Sequence, residues 1–164
     1  MRILGIDPGL ATLGWGIVET NGYKMRLVQY GTVLTYPQDT FPTRLASIYT
    51  NIRALLDTFK PDEIAFEELF FSKNITTGIQ VAGARGVALA ACQGYTDKLY
   101  EYTPMQIKQA LTGYGNAEKK QMQQMVRMRL GIAEIPKPDD AADAVACAIT
   151  HAQAGVMREQ FRIK

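Results

Sequence analysis

Acidic residues fall where two apolar runs end and where a third begins. Asp7 closes RILGID and is followed by Pro8-Gly9, while Glu67 and Glu68 lie near the end of EIAFEELF. Asp139, Asp140 and Asp143 open a stretch otherwise made of Ala, Val, Cys and Ile. Residues three apart share a helix face, so Asp140 and Asp143 can point together. With Asp7 and Glu67 they make a set of carboxylates able to converge at one end of a sheet. Packed carboxylates repel and raise one another's pKa, and divalent cations remove that penalty. An all-oxygen donor set favours Mg²⁺ or Mn²⁺ over zinc. Two such ions about 3.5–4 Å apart activate water and stabilise a leaving oxygen in phosphodiester hydrolysis. Each acid also has a plain reading. Asp7 suits a turn, Asp139 and Asp140 suit the first turn of a helix, and Glu67 and Glu68 can mark a strand leaving the core. Asp143 fits the plain reading worst, because an acid inside an apolar stripe needs a partner.

Basic residues gather in one segment. Between Lys98 and Arg129 stand Lys98, Lys108, Lys119, Lys120, Arg127 and Arg129 against only Glu101 and Glu118. Such a surplus suits a face that follows phosphates, and equally a solvated helix surface.

The elements that must position these groups follow from periodicity. RILGID (2–7), LGWGIVE (13–19) and MRLVQYGTVLT (25–35) read as an antiparallel meander, with Asn21-Gly22 as a hairpin turn. Apolar spacing predicts a helix over 43–59, followed by a strand over 63–70 buried on both faces. Residues 74–97 read as a small-residue helix whose Gly78, Gly83 and Gly86 imply close packing. A strand over 98–104, two short helices over MQIKQAL and AEKKQMQQMVRMRL, and a helix over 139–156 complete the order β-β-β-α-β-α-β-α-α-α. The expected architecture is an α/β mixed five-stranded sheet with helices on both faces. Its first and fourth strands form the central pair, and a site belongs at their carboxyl ends.

The 164 residues, 47% of them hydrophobic and 21% charged, suit a single domain. Its expected extent is 1–156, with 157–164 a frayed polar tail. No stretch approaches the roughly 20 apolar residues of a membrane span. MRILGIDPGL reads as strand and turn rather than as a signal region. Cys92 and Cys147 read as buried free thiols. A cytoplasmic protein is expected. His151, the only histidine, lies two turns below Asp143 and reads as a structural group, with a proton-shuttle role as the alternative. Met122, Met125 and Met128 are spaced as a core stripe, and Trp15 reads as packing.

GIDPG, AFEELFFSKN, GARGVALA, MQIKQALTGYGNAEKKQMQQMV and DDAADAVACAITH occur in one register over almost the whole chain. Together they resemble the RuvC family of bacterial Holliday-junction resolvases. The resemblance implies a ribonuclease-H-like fold and a homodimer making paired symmetric cuts in a four-way DNA junction. It implies Mg²⁺ or Mn²⁺, two ions per site, and work in recombination and repair beside the branch-migration proteins RuvA and RuvB. Carried over by position, the family's acids are Asp7, Glu67, Asp140 and Asp143, serving both catalysis and metal binding. The register chooses Glu67 over Glu68, and the D-A-A-D spacing chooses Asp140 over Asp139. Position 140 is the most replaceable of the four. The family's active-site lysines align with Lys108 and Lys119, and Lys120 is an adjacent DNA-contact candidate. Phe70 aligns with the family's base-stacking aromatic, and Tyr114, between two glycines, is a further DNA-contact candidate. Helix 74–97 is the candidate dimer interface.

Three other readings share these residues. Another ribonuclease-H-like nuclease, acting on RNA–DNA hybrids, would use the same acids. A nucleotide-binding domain of the actin and sugar-kinase type also opens with a strand, Asp-x-Gly and a hairpin, but needs two such domains around its nucleotide. A non-catalytic junction-binding protein would keep the fold alone.

Overall fold

Alternation along the strands decides which side chains reach the site. A computed structural model of the protein describes residues 1–69 and 75–164, with only the backbone of Ile75. Its strands are β1 (Arg2–Asp7), β2 (Thr12–Thr20), β3 (Met25–Leu34), β4 (Glu63–Glu67) and β5 (Leu99–Tyr102). The helices are α1 (Phe41–Phe59), α2 (Ile75–Gln93), α3 (Pro104–Thr112), α4 (Lys119–Leu130) and α5 (Asp139–Ala154). One sheet has the order β3-β2-β1-β4-β5. β1 pairs antiparallel with β2 and parallel with β4, and β4 pairs parallel with β5. The element order and the central β1–β4 pair are those expected from the sequence.

Each sheet face carries its own core. Leu4, Ile6, Ile64 and Phe66 pack with α1 and α2, while Ile3, Ala65, Tyr100 and Tyr102 pack with α3, α4 and α5. Strand side chains alternate with period two. Asp7 therefore shares the face of Ile3 and Gly5, and Glu67 that of Glu63 and Ala65. Both point to the α5 side, and Glu68 falls on the opposite parity.

Local chemistry fixes the boundaries. Asn21 Oδ1 accepts from the amides of Tyr23 (3.1 Å) and Lys24 (2.9 Å), and Gly22 takes φ +92° in the β2–β3 turn. Helix α1 starts two residues earlier than its apolar spacing suggested, because Thr40 caps it and Pro42 fits its first turn. Strand β4 stops at Glu67, short of the expected residue 70, although the Glu68 amide still donates to the Tyr102 carbonyl at 2.9 Å. Helix α2 ends at Gln93 rather than 97. Helix α3 carries a full capping box between Thr103 and Gln106.

The polar tail does not fray. Residues Gly155–Phe161 form a 3₁₀ helix, Arg162 bridges to Tyr100, and the Ile163 amide donates to the Leu99 carbonyl at 2.9 Å. Tyr100 donates its hydroxyl to Glu159 at 2.9 Å, and the Phe161 ring lies 4.8 Å from that of Tyr102. Two apolar residues, Phe161 and Ile163, anchor a segment whose average polarity hid them.

Candidate active site

Three strand glycines bring α5 onto the sheet. A Cβ at Gly5 would lie 2.0 Å from the Ala144 carbonyl oxygen, and one at Gly14 1.9 Å from that of Asp140. At Gly16 it would lie 2.4 Å from Val145 Cγ2. Only residues without a Cβ allow this approach. It sets the first turns of α5 beside the end of β1, so Asp140 and Asp143 come next to Asp7. The glycines expected to matter were those of α2. There Gly83 meets the Phe41 ring and Gly86 faces open space.

The acids sense one another. Burial, followed by repulsion from Glu67, Asp143 and Asp140, pushes Asp7 up to about 8 from an ordinary 3.8, against the pull of Lys119. Burial and then Asp143 push Glu67 up to about 7, opposed by Lys119 and Lys108. Asp143 is raised chiefly by burial, with Lys119 opposing. Among the described residues no three His, Cys, Asp or Glu side chains are gathered tightly enough to enclose a metal ion as they stand. The four acids are electrostatic neighbours rather than a closed cage. Their chemistry nevertheless suits a hard divalent cation: every donor is a carboxylate oxygen, and the raised pKa of half-buried Asp7, Glu67 and Asp143 calls for positive charge.

Two lysines answer that call. Glu67, Lys108, Lys119 and Asp143 line a cleft of about 210 Å³, floored by Ile107, Met122 and Ala146. Lys119 donates to Asp143 Oδ2 at 3.2 Å and pairs with Asp139 Oδ2 at 3.1 Å. Burial opposes its charge, but the hydrogen bonds to Asp139 and Asp143 prevail and raise its pKa. Lys119 opens α4, whose first turn holds no acid. A cation there opposes the helix dipole, so the facing carboxylates must hold it.

Other expected residues scatter. Tyr114, 60% exposed, and Lys120 line a neighbouring groove with Thr112, Gln121 and Gln124. Phe70 lies outside the described residues. His151 is fully buried and far from the acids, eight residues along α5 from Asp143, about 12 Å of helix. Its Nδ1 meets the Tyr102 hydroxyl at 2.8 Å and its Nε2 meets Glu63 at 2.7 Å, at the opposite end of β4 from Glu67. Burial lowers its pKa against the opposing pull of Glu63. The structural reading fits these contacts: both ring nitrogens of His151 are engaged by Tyr102 and Glu63 rather than by any of the four acids. Met122 is buried and Met125 partly so, but Met128 is 69% exposed, so the methionine stripe is only partly core. Trp15 packs on Phe59 with ring centroids 5.7 Å apart. Asp139, set aside in favour of Asp140, turns out to hold Lys119. Its place at the helix start gave no sequence signal for that role.

Acids at the carboxyl ends of two central strands, faced by lysines on a mixed five-stranded sheet, define a ribonuclease-H-like nuclease framework. The family model described as crossover junction endodeoxyribonuclease RuvC matches residues 3–151. The RuvC endodeoxyribonuclease of Brevibacillus brevis is 53% identical over 153 residues, covering 93% of this chain and 92% of its own. That of Alkaliphilus metalliredigens is 48% identical over the full length of both. The solved structure of Thermus thermophilus RuvC superposes with a TM-score of 0.87 at 40% identity, covering 96% of each chain. The same protein solved with a Holliday-junction substrate also gives 0.87, at 37% identity and 96% of each chain. The chain belongs to the RuvC family of crossover junction endodeoxyribonucleases. No described helix is long and apolar enough to cross a membrane.

Proposed function

We propose that this chain resolves four-way DNA junctions by paired, symmetric phosphodiester hydrolysis, with Asp7, Glu67, Asp140 and Asp143 as its metal-binding carboxylates. The carrying observation is the half-buried Asp7–Glu67–Asp143 group, raised in pKa, whose Glu67 and Asp143 share one cleft with Lys108 and Lys119. Two Mg²⁺ or Mn²⁺ ions held by these acids would supply a nucleophilic water and neutralise charge on the leaving oxygen. Lys119 and Lys108 place fixed ammonium groups at the cleft, where charge builds on a scissile phosphate. The close seat of α5 on Gly5, Gly14 and Gly16 keeps Asp140 and Asp143 beside the end of β1 before substrate arrives.

Lys120 and Tyr114, in the adjacent groove, extend this surface toward flanking DNA. Phe70, just beyond β4, is proposed to stack on a base of the opened junction. A two-fold homodimer with α2 at its interface would supply two matched sites to a substrate of approximate two-fold symmetry. RuvA and RuvB are the partners, and the cytoplasm the compartment, that this reading carries with it.

The test is a labelled four-way junction, a matching linear duplex and an RNA–DNA hybrid, each incubated with Mg²⁺ or with EDTA. Symmetric nicks in the junction alone, abolished by EDTA, Asp7→Asn and Asp143→Asn, are expected. Hybrid cleavage would move the substrate to the RNase H class. Tight junction binding without cutting in Mg²⁺ or Mn²⁺ would leave a binding protein.

A further inference from the structure

Lys119 has two carboxylate partners, and only one of them belongs to the proposed metal-binding set. Asp143 Oδ2 accepts from its ammonium at 3.2 Å, and Asp139 Oδ2 lies 3.1 Å away. Asp139 is held in turn, its Oδ1 accepting from Gln123 Nε2 at 3.0 Å. Gln123 and Lys119 both sit on α4, so one carboxylate spans both and ties the start of α5 to the first turns of α4. A residue in the first turn of a helix commonly serves as a cap. Here the N-cap is Pro138, and no side chain caps α5. The Asp139 carboxylate is therefore committed to α4.

The two partners differ in what a bound cation does to them. A cation on Asp143 competes with the ammonium for the same carboxylate and repels it. Asp139, 61% exposed at the cleft rim, keeps its attraction. From this geometry we propose that Asp139 is a positioning residue, retaining Lys119 at the cleft when divalent metal takes Asp143, with Gln123 fixing the carboxylate that does so. The proposal rests on the functional reading above. It goes beyond it in giving a reason for an acid outside the four, and for the ammonium remaining at the cleft in the metal-bound state.

Two measurements on the full chain separate this role from a mere tie between helices. In the first, Lys119 is labelled with an amine-reactive reagent and read by mass spectrometry against Lys120, with and without Mg²⁺. In Asp139→Asn, Mg²⁺ should raise Lys119 labelling severalfold. In the wild type and in Asp139→Glu it should change little. In the second, junction cleavage is followed in single turnover at saturating Mg²⁺. Asp139→Asn should slow the cleavage step about tenfold while junction affinity stays within twofold. The same substitution on a Lys119→Met background should change nothing further, because the two act as one unit. Gln123→Ala should give a smaller effect of the same sign. Labelling of Lys119 that ignores Mg²⁺ in Asp139→Asn overturns the proposal, as does an equal loss with and without Lys119. If Lys119→Met cuts at the wild-type rate, it is the catalytic reading of the lysine that fails. The labelling experiment then still decides whether Asp139 retains it.

Discussion

Replacing Asp7 by Asn should make the metal-free protein more stable, and by an amount that grows with pH. Asn keeps the size of the side chain and removes its charge. In the fold, burial and three neighbouring acids push Asp7 from 3.8 to about 8. At about 1.4 kcal/mol per tenfold, that displacement corresponds to about 6 kcal/mol. Asp7 retains some contact with water, and screening brings the net to about 2 kcal/mol. The sign follows from proton uptake. Below about pH 3 the carboxyl is largely protonated in both folded and unfolded chains, and the substitution changes little. As pH rises toward 8 the unfolded chain ionises freely while the folded one resists, so the wild type loses stability that Asp7→Asn keeps. In a chain of this length, 2 kcal/mol moves the melting temperature by about 4–8 °C. Calorimetry in EDTA from pH 4 to pH 8.5 should show the variant's advantage opening over that range. Added Mg²⁺ should stabilise the wild type and do much less for the variant. An Asp7→Asn protein that melts with or below the wild type at pH 8.5 in EDTA would refute the claim that these acids are crowded against their charge.

Three further outcomes are expected. Lys119→Met should slow junction cleavage by about 10²-fold, with junction affinity little changed, in a single-turnover assay. Gly14→Ala drives a Cβ into the Asp140 carbonyl, so urea titration should show a loss of about 3 kcal/mol and Mg²⁺-induced stabilisation should fall with it. His151→Ala strands the Tyr102 hydroxyl and leaves buried Glu63 with only the Arg158 guanidinium at 3.1 Å, which should lower stability by about 3 kcal/mol while leaving cleavage per folded molecule unchanged. Because burial lowers the pKa of His151, wild-type stability should fall as pH drops below about 6.5, and this component should be absent from the variant.

The acids were legible because strand ends and a D-A-A-D spacing leave few places for them to go. Parity along β1 and β4 then sends Asp7 and Glu67 to the same face of the sheet, and one helix covers both. Lys108 and Lys119 were legible only through the resemblance, since an exposed lysine carries no local sign of what it faces. Gly5, Gly14 and Gly16 carry no sequence sign of their role, because each sits inside an ordinary strand pattern. Their importance depends on α5, more than a hundred residues away in sequence. Glu63, His151 and Tyr102 come from β4, α5 and β5, so no single segment held that network's signature. The docking of the tail is hidden for a similar reason: Phe161 and Ile163 are the only large apolar residues after Met157, and what they dock against is contributed by β5.

That docked tail also alters what the sheet presents to other chains. A sheet has two borders whose free amides and carbonyls can recruit a stray strand. One border is β3, where a bulge at the Ile17–Val18 register interrupts regular pairing. The other is β5, a short strand whose Leu99 and Tyr100 are already engaged by Ile163 and Arg162. The last residues of the chain thus act as a selvedge, finishing an edge that would otherwise invite self-association. A protein shortened to residue 157 would keep every acid and lysine of the cleft and still lose solubility first.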